Sequence, residues 1–283
     1  MKFLLALLLS SSLLALTACG GQATEQGTRN APDDSLSLRV AILPTLGCLP
    51  LIYAVESGIA DSLGLPLRYK LYRAQWDADT ALLGKTVDAA YLDAARWAYY
   101  QNQGKLKGTT ALLPISEQHS LLVGGHLRVR KVEKIKLRTL AAPRYTQQER
   151  YLHHLRDSMG WKQDDIFQPQ INSYEIATRM LVNEQLDGVV LPEPWATQAA
   201  QQGQRVLARA QEFKEAAIYV RPFKTTQTRK QKQSSLLKQV YNAAVEQLNA
   251  QRTPLVDSLL TQHYRITPEA ARAVQLPRYT LLK

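Results

Sequence analysis

Two rhythms of apolar residues alternate along most of the chain. Leu36–Pro44, "LSLRVAILP", is a short, nearly continuous apolar run and predicts a buried strand. From Leu49, "LPLIYAVESGIA" places its apolar residues at helical spacing, with Gly58 and Gly64 as breaks. Leu65–Tyr72 predicts a second strand, and Asp77–Gly84 a short helix capped by Asp77. Val87–Leu92 then predicts a third strand, Ala94–Gln103 a helix and Thr109–Pro114 a fourth strand. Near Leu121 the pattern changes, and "HSLLVGGHLRV" predicts one or two strands with a passage elsewhere. After the basic run Arg128–Arg138 the alternation restarts. Leu137–Pro143 predicts a strand, Gln147–Met159 and Tyr174–Glu184 helices, Leu186–Leu191 a strand, Pro194–Gln202 a helix and Ala216–Val220 a strand. In Ser234–Asn249, Leu236, Val240, Ala244, Val245 and Leu248 fall on one helical face. Alternation of this kind predicts an α/β protein with mostly parallel sheets.

One internal echo stands out. Leu82–Ala98 can be laid on Leu181–Ala196 with Asp88 on Asp187, each a helix end, an acid, a short apolar strand and a turn into a helix bearing Trp. Within the second copy, "VVLPEPWATQA" (Val189–Ala199) puts a lone carboxylate between two prolines. Pro192 ends the strand, and Pro194 suits a first helical turn, where its missing N–H costs nothing. Glu193 is therefore held at a strand-to-helix corner, facing a ligand, its own helix N-terminus or another lobe.

Composition is that of an ordinary globular chain: 283 residues, 45% hydrophobic and 21% charged. The formal net charge of +11 leaves nucleic acid, an anionic membrane surface or an anionic ligand as partners. The first residues change that balance. "MKFLLALLLSSSLLALTAC" carries Lys2, an apolar stretch too short for a comfortable span and then small residues, as a secretory signal does. Its end, "LTAC", resembles the bacterial lipobox, which implies a signal over residues 1–18 and a lipid such as palmitate on Cys19. Residues 19–35 lack an apolar period and read as a flexible tether. An exported lipoprotein is not expected to bind nucleic acid. The basic stretches Arg128–Arg138 and Arg221–Gln233 read instead as a solvated face near anionic lipid. With Cys19 lipidated, Cys48 has no disulfide partner.

The order of motifs resembles the bacterial solute-binding proteins of the nitrate, sulfonate and thiamine-precursor group that serve ABC importers. The pieces that carry the resemblance are the lipobox, "LRVAILPTLGCLPLIYAVESGIADSLGL", "ALLGKTVDAAY", "MLVNEQLDGVVLPEPWA" and the tail "YRITPEAARAVQLPRY". It covers about Leu36 to Lys283. It implies the type II periplasmic-binding-protein fold: two Rossmann-like lobes, 36–120 with 220–283 and 121–219, joined by two hinge strands near Leu121 and Tyr219. The stretch "IKLRTLAAP" and Cys48 in the loop "PTLGCLP" depart from the group's pattern. The resemblance further implies a monomer on the periplasmic face of a bacterial membrane, an ABC permease and ATPase as partners, and a small organic solute as ligand. The solute would be a sulfonate- or nitrate-like anion or a thiamine-precursor-like pyrimidine.

In open α/β sheets ligands bind beyond the carboxyl ends of the strands. Those ends offer Thr45, Cys48, Trp76, Tyr91, Asp93, His119, Arg144, Tyr145, Glu193 and Trp195 as candidate ligand-binding residues. Gln75, Asp77, Glu117, Gln118 and Thr146 lie at the same ends. Cys48 has no Cys/His signature around it and reads as a buried, inert thiol. His153 and His154, adjacent on a helix, point about 100° apart and cannot share one ion. No catalytic residue, metal or cofactor is expected. The alternatives are an enzyme on the same fold, of the menaquinone- or thiamine-precursor type, which export argues against, or a partner-binding surface lipoprotein without a transport role.

Overall fold

The computed structural model describes residues 38–210, 213–222 and 227–282, without the side chains of 213–215 and 227–230. The signal, Cys19 and the tether lie outside the described residues. In chain order the first strands are β1 (Leu38–Ile42), β2 (Leu67–Leu71), β3 (Ala89–Asp93) and β4 (Thr110–Glu117). They are followed by β5 (His119–Val123), β6 (Arg138–Ala141), β7 (Ile166–Phe167), β8 (Gly188–Pro192), β9 (Arg205–Arg209) and β10 (Phe213–Val220). Two five-stranded sheets result, in the orders β2-β1-β3-β10-β4 and β7-β6-β8-β5-β9.

The two sheets are built alike. β1 runs parallel to β2 and β3, and β6 runs parallel to β7 and β8. Each sheet then takes in one antiparallel strand, β10 beside β3 and β5 beside β8. β3 and β8 are buried at every position, as central strands covered on both faces should be. The acid before each does the same job. Asp88 accepts the Arg39 backbone N–H of β1 at 3.0 Å, and Asp187 accepts the Thr139 backbone N–H of β6 at 2.9 Å. Arg39 and Arg138 add side-chain bonds to the same carboxylates. The echo in sequence is thus an echo in structure.

The chain passes from the first sheet to the second through Gln118 alone, between β4 and β5. It is back in the first sheet by Phe213, six residues earlier than Tyr219, because β10 pairs with β3 and β4 along its length. Ladder pairing satisfies backbone groups whatever the side chains are, so the strand starts well before the apolar run Ala216–Val220.

Helices cover the sheets. α1 (Leu49–Glu56) and α2 (Ile59–Ser62) follow β1; α3 (Gln75–Leu83) and α4 (Ala94–Asn102) flank β3. α5 (Gln147–Ser158), α6 (Tyr174–Val182) and α7 (Trp195–Gln201) belong to the second sheet. α5 and α6 start as their sequences dictate, with Thr146 accepting from the Glu149 N–H and Ser173 from the Ile176 N–H. α3 differs from expectation: it begins at Gln75, so Asp77 sits inside its first turn and caps nothing. α8 (Gln227–Ala250), α9 (Pro254–Gln262) and α10 (Pro268–Ala273) close the chain. α8 buries Leu237, Val240, Ala244, Val245 and Leu248 and packs on α1, whereas α10 reaches α7 of the second lobe. All described residues belong to one compact unit, Asp33–Lys283. Among them no helix is long and apolar enough to cross a membrane.

Candidate functional site

Three strand ends of the first lobe converge on one buried polar cluster. Thr45 follows β1, Asp93 closes β3 and Glu117 closes β4, and all three are buried. The Thr45 hydroxyl donates to Glu117 Oε1 at 2.5 Å. Gly47 lets the β1–α1 corner lie on that carboxylate: a Cβ there would stand 2.5 Å from Glu117 Oε1 and 2.8 Å from the Ser116 carbonyl oxygen. Gln75, first in α3, donates through Nε2 to Asp79 Oδ1 at 3.1 Å and to the Tyr91 carbonyl at 3.3 Å. Burial pushes the Asp93 carboxyl up to about 7, only partly offset by Gln147 and Arg96. Burial pushes Glu117 up to about 8, against the pull of the Thr45 hydroxyl, with the Asp93 charge adding to the rise.

The second lobe meets this cluster through the start of α5. The Gln147 backbone N–H donates to Asp93 Oδ1 at 3.1 Å, so the carboxylate faces the positive end of that helix. Gln148 Nε2 donates to the Tyr174 hydroxyl at 3.3 Å. Several buried polar atoms in this layer have no protein partner: Asp93 Oδ2, Gln75 Oε1, both side-chain atoms of Gln147 and Gln148 Oε1. A buried polar atom left without a partner costs about 1–3 kcal/mol. Their concentration where two lobes meet is what a site for a polar solute requires.

Beside the cluster the lobes are fastened together. Arg96 and Asp79 form an ion pair with both side chains buried, and Tyr100 donates to Asp79 Oδ2 at 2.9 Å. Burial raises the Asp79 carboxyl, and the Arg96 charge pulls the other way. Arg96 also donates across the gap to the Arg144 carbonyl at 2.8 Å. Next to it the Tyr99 and Tyr145 rings stack, with centroids 4.2 Å apart. On another side, the Leu46 N–H donates to the Glu193 carbonyl at 2.9 Å and Trp195 Nε1 to the Pro44 carbonyl at 2.8 Å.

Of the sequence-derived candidates, Thr45, Tyr91 and Asp93 lie in the cluster. Cys48 is fully buried next to it, and burial with the Glu117 charge pushes its thiol up to about 12, which denies it a nucleophile's thiolate. His119 is buried in β5, where desolvation lowers its pKa to about 3, so it stays neutral. The Glu193 carboxylate accepts the Thr197 N–H in the first turn of α7 at 3.1 Å. Trp195 is a buried brace. Trp76 is 58% exposed, with the Arg96 guanidinium over its ring at 5.7 Å. Arg144 is exposed, and with Tyr145, Glu149, His153 and Phe167 it lines a depression of about 610 Å³ on the second lobe alone. Gln147, Gln148, Asp79 and Arg96 were not anticipated as site residues. A glutamine at a helix start or an isolated Asp and Arg on two helices carries no signal until the lobes are placed together.

No protein-family model and no curated protein matches the chain. Solved structures do. The periplasmic aliphatic sulphonate binding protein SsuA from Escherichia coli superposes with a TM-score of 0.65 at 14% identity, over 86% of this chain and 82% of that one. The periplasmic nitrate-binding protein NrtA from Synechocystis PCC 6803 gives 0.68 at 14% identity, over 83% and 68%. PhnD1 from Prochlorococcus marinus, in complex with methylphosphonate, gives 0.59 at 10% identity, over 77% and 91%. The chain has the periplasmic-binding-protein fold. At such low identities the likeness speaks for fold alone. In this fold the converging strand ends and the α5 N-terminus fall where the two lobes face each other.

Proposed function

We propose that the chain is a lipid-anchored solute-binding protein of an ABC importer, held by Cys19 on the periplasmic side of a bacterial membrane and capturing a small organic solute between its lobes. The observation that carries this reading is the set of buried, unpartnered polar atoms at the meeting of the lobes, on Asp93 and Gln75 from one and Gln147 and Gln148 from the other. A solute there would satisfy groups from both lobes at once and so favour closure; no bond need be made or broken. The fold neighbours include proteins named for binding sulphonate, nitrate and methylphosphonate, which supports a transport role. On this reading the protein is a monomer that delivers its solute to a permease driven by an ATPase, and the 19–35 tether gives it reach.

Two measurements test the reading. Thermal melting of the delipidated protein against small anions, amines and pyrimidines should show one class raising the melting temperature; no response to any class would contradict solute capture. Mass spectrometry of the mature N-terminus should find lipid on Cys19, and Cys19→Ala should release the protein from the membrane fraction. An unmodified Cys19 would remove the anchor from the account.

A further inference from the structure

The charge of the cleft runs opposite to the charge of the chain. The sequence as a whole is +11, yet the polar cluster between the lobes carries Asp93 and Glu117, and the guanidinium beside Asp93, that of Arg96, is already paired with Asp79. Asp93 Oδ2 is buried and accepts no hydrogen bond of normal geometry, and the Gln147 amide beside it, in a residue 1% exposed, makes none on either atom although it pulls on the Asp93 carboxyl. Once these two desolvated carboxyls ionise, an oxyanion placed there would meet like charge in a low-dielectric site, where repulsion is strong. A positively charged nitrogen would instead complete the Asp93 hydrogen bonding and give Gln147 Oε1 a donor.

We infer that the solute is a small organic cation, its charged nitrogen on Asp93 Oδ2 and the Gln147 amide, with the Glu117 carboxylate behind. The inference rests on the cleft being the binding site, and it separates this chain by ligand class from the fold neighbours named for binding oxyanions. It also sets the direction of pH dependence. A cation binds the ionised carboxylates, so binding releases protons and tightens as pH rises towards and through the range where Asp93 and Glu117 ionise. The groups that act on Asp93 are Asp79, Arg96, Glu117, Tyr91, Tyr174 and Tyr219, and on Glu117, besides Asp93, they are Cys48, Tyr91, Tyr174, Tyr241, Tyr264 and Tyr279. Burial raises these tyrosines and Cys48, so they stay neutral and do not compete in that window.

The test is calorimetric titration of the delipidated protein with cations that do not titrate, methylguanidine, agmatine and choline, beside nitrate, ethanesulfonate and methylphosphonate. The expected result is binding of at least one cation, at least about tenfold tighter at about pH 8 than at about pH 6. Asp93→Asn, which keeps an acceptor for the Gln147 N–H, should weaken it at least about tenfold at the higher pH and flatten the pH profile. Binding of an oxyanion that tightens as pH falls, with no cation bound, would overturn the cation assignment and leave solute capture standing. Binding of neither class would overturn solute capture, and the cation assignment with it. Should Asp93→Asn fail to fold, the pH slope of the unaltered protein still decides.

Discussion

Two buried carboxyls govern how the free protein responds to pH. Asp93 and Glu117 ionise in the fold at about 7 and about 8, above their ordinary values of 3.8 and 4.5. Above those ordinary values the unfolded chain has released the protons that the fold still holds, so stability falls as pH rises until the folded groups ionise too. His119 works the other way: with its pKa lowered from 6.5 to about 3, it removes stability as pH falls below 6.5. Above about pH 6.5 His119 no longer opposes the carboxyls, Asp93 acting up to about pH 7 and Glu117 up to about pH 8. The melting temperature of the ligand-free protein should fall across that window, as stability drops by up to about 1.4 kcal/mol per pH unit for each carboxyl still protonated in the fold. Glu117→Gln, which can still accept from Thr45, should flatten the slope; an unchanged slope would show that Glu117 is not the titrating group. The Asp79–Arg96 pair offers a second test. Arg96→Met leaves Asp79 buried without its cation and should cost about 3–5 kcal/mol in urea unfolding. The double variant with Asp79→Asn should recover part of that loss.

The repeated strand–helix unit shows which elements the sequence makes legible. Asp88 and Asp187 clamp equivalent neighbouring strands, β1 and β6, in separate sheets. Asp88→Ala and Asp187→Ala should each cost about 1–3 kcal/mol. The losses should add in the double variant, because the sites share no partner; strong coupling would argue against two equivalent clamps. β1, β3 and β8 were readable because a strand buried on both faces needs a continuous apolar run. β7 and β9 were not. β7 has two residues, and β9, "RVLAR", is half-buried along most of its length. α9 and α10 follow α8 outside the strand–helix alternation that marks the other helices, although Pro254 and Pro268 stand at their starts. The corner at Glu193 was legible as a rigid turn. That its carboxylate bonds its own helix follows only from the turn's geometry, since a capping and a ligand-facing glutamate look alike in sequence.

At the scale of the whole molecule, the candidate site exists only because two similar sheets present their carboxyl ends to each other. Thr45, Asp93 and Glu117 could be read as strand ends, but their pairing with Gln147 needs both lobes. The chain brings those lobes together with Gln118 as its first passage, and with α10 leaning from the C-terminal segment onto α7. Direct bonds between lobes, Arg96 to the Arg144 carbonyl and Trp195 to the Pro44 carbonyl among them, hold the two together. Capture of a solute in that interior is the central claim. It is tested most directly by mass spectrometry of the small molecules released on denaturing the natively isolated protein. The account predicts one compound at close to one per chain, sharply depleted when Asp93→Asn is isolated in the same way. A compound retained equally by Asp93→Asn, or a protein that carries none and takes up none from a cell extract, would contradict it.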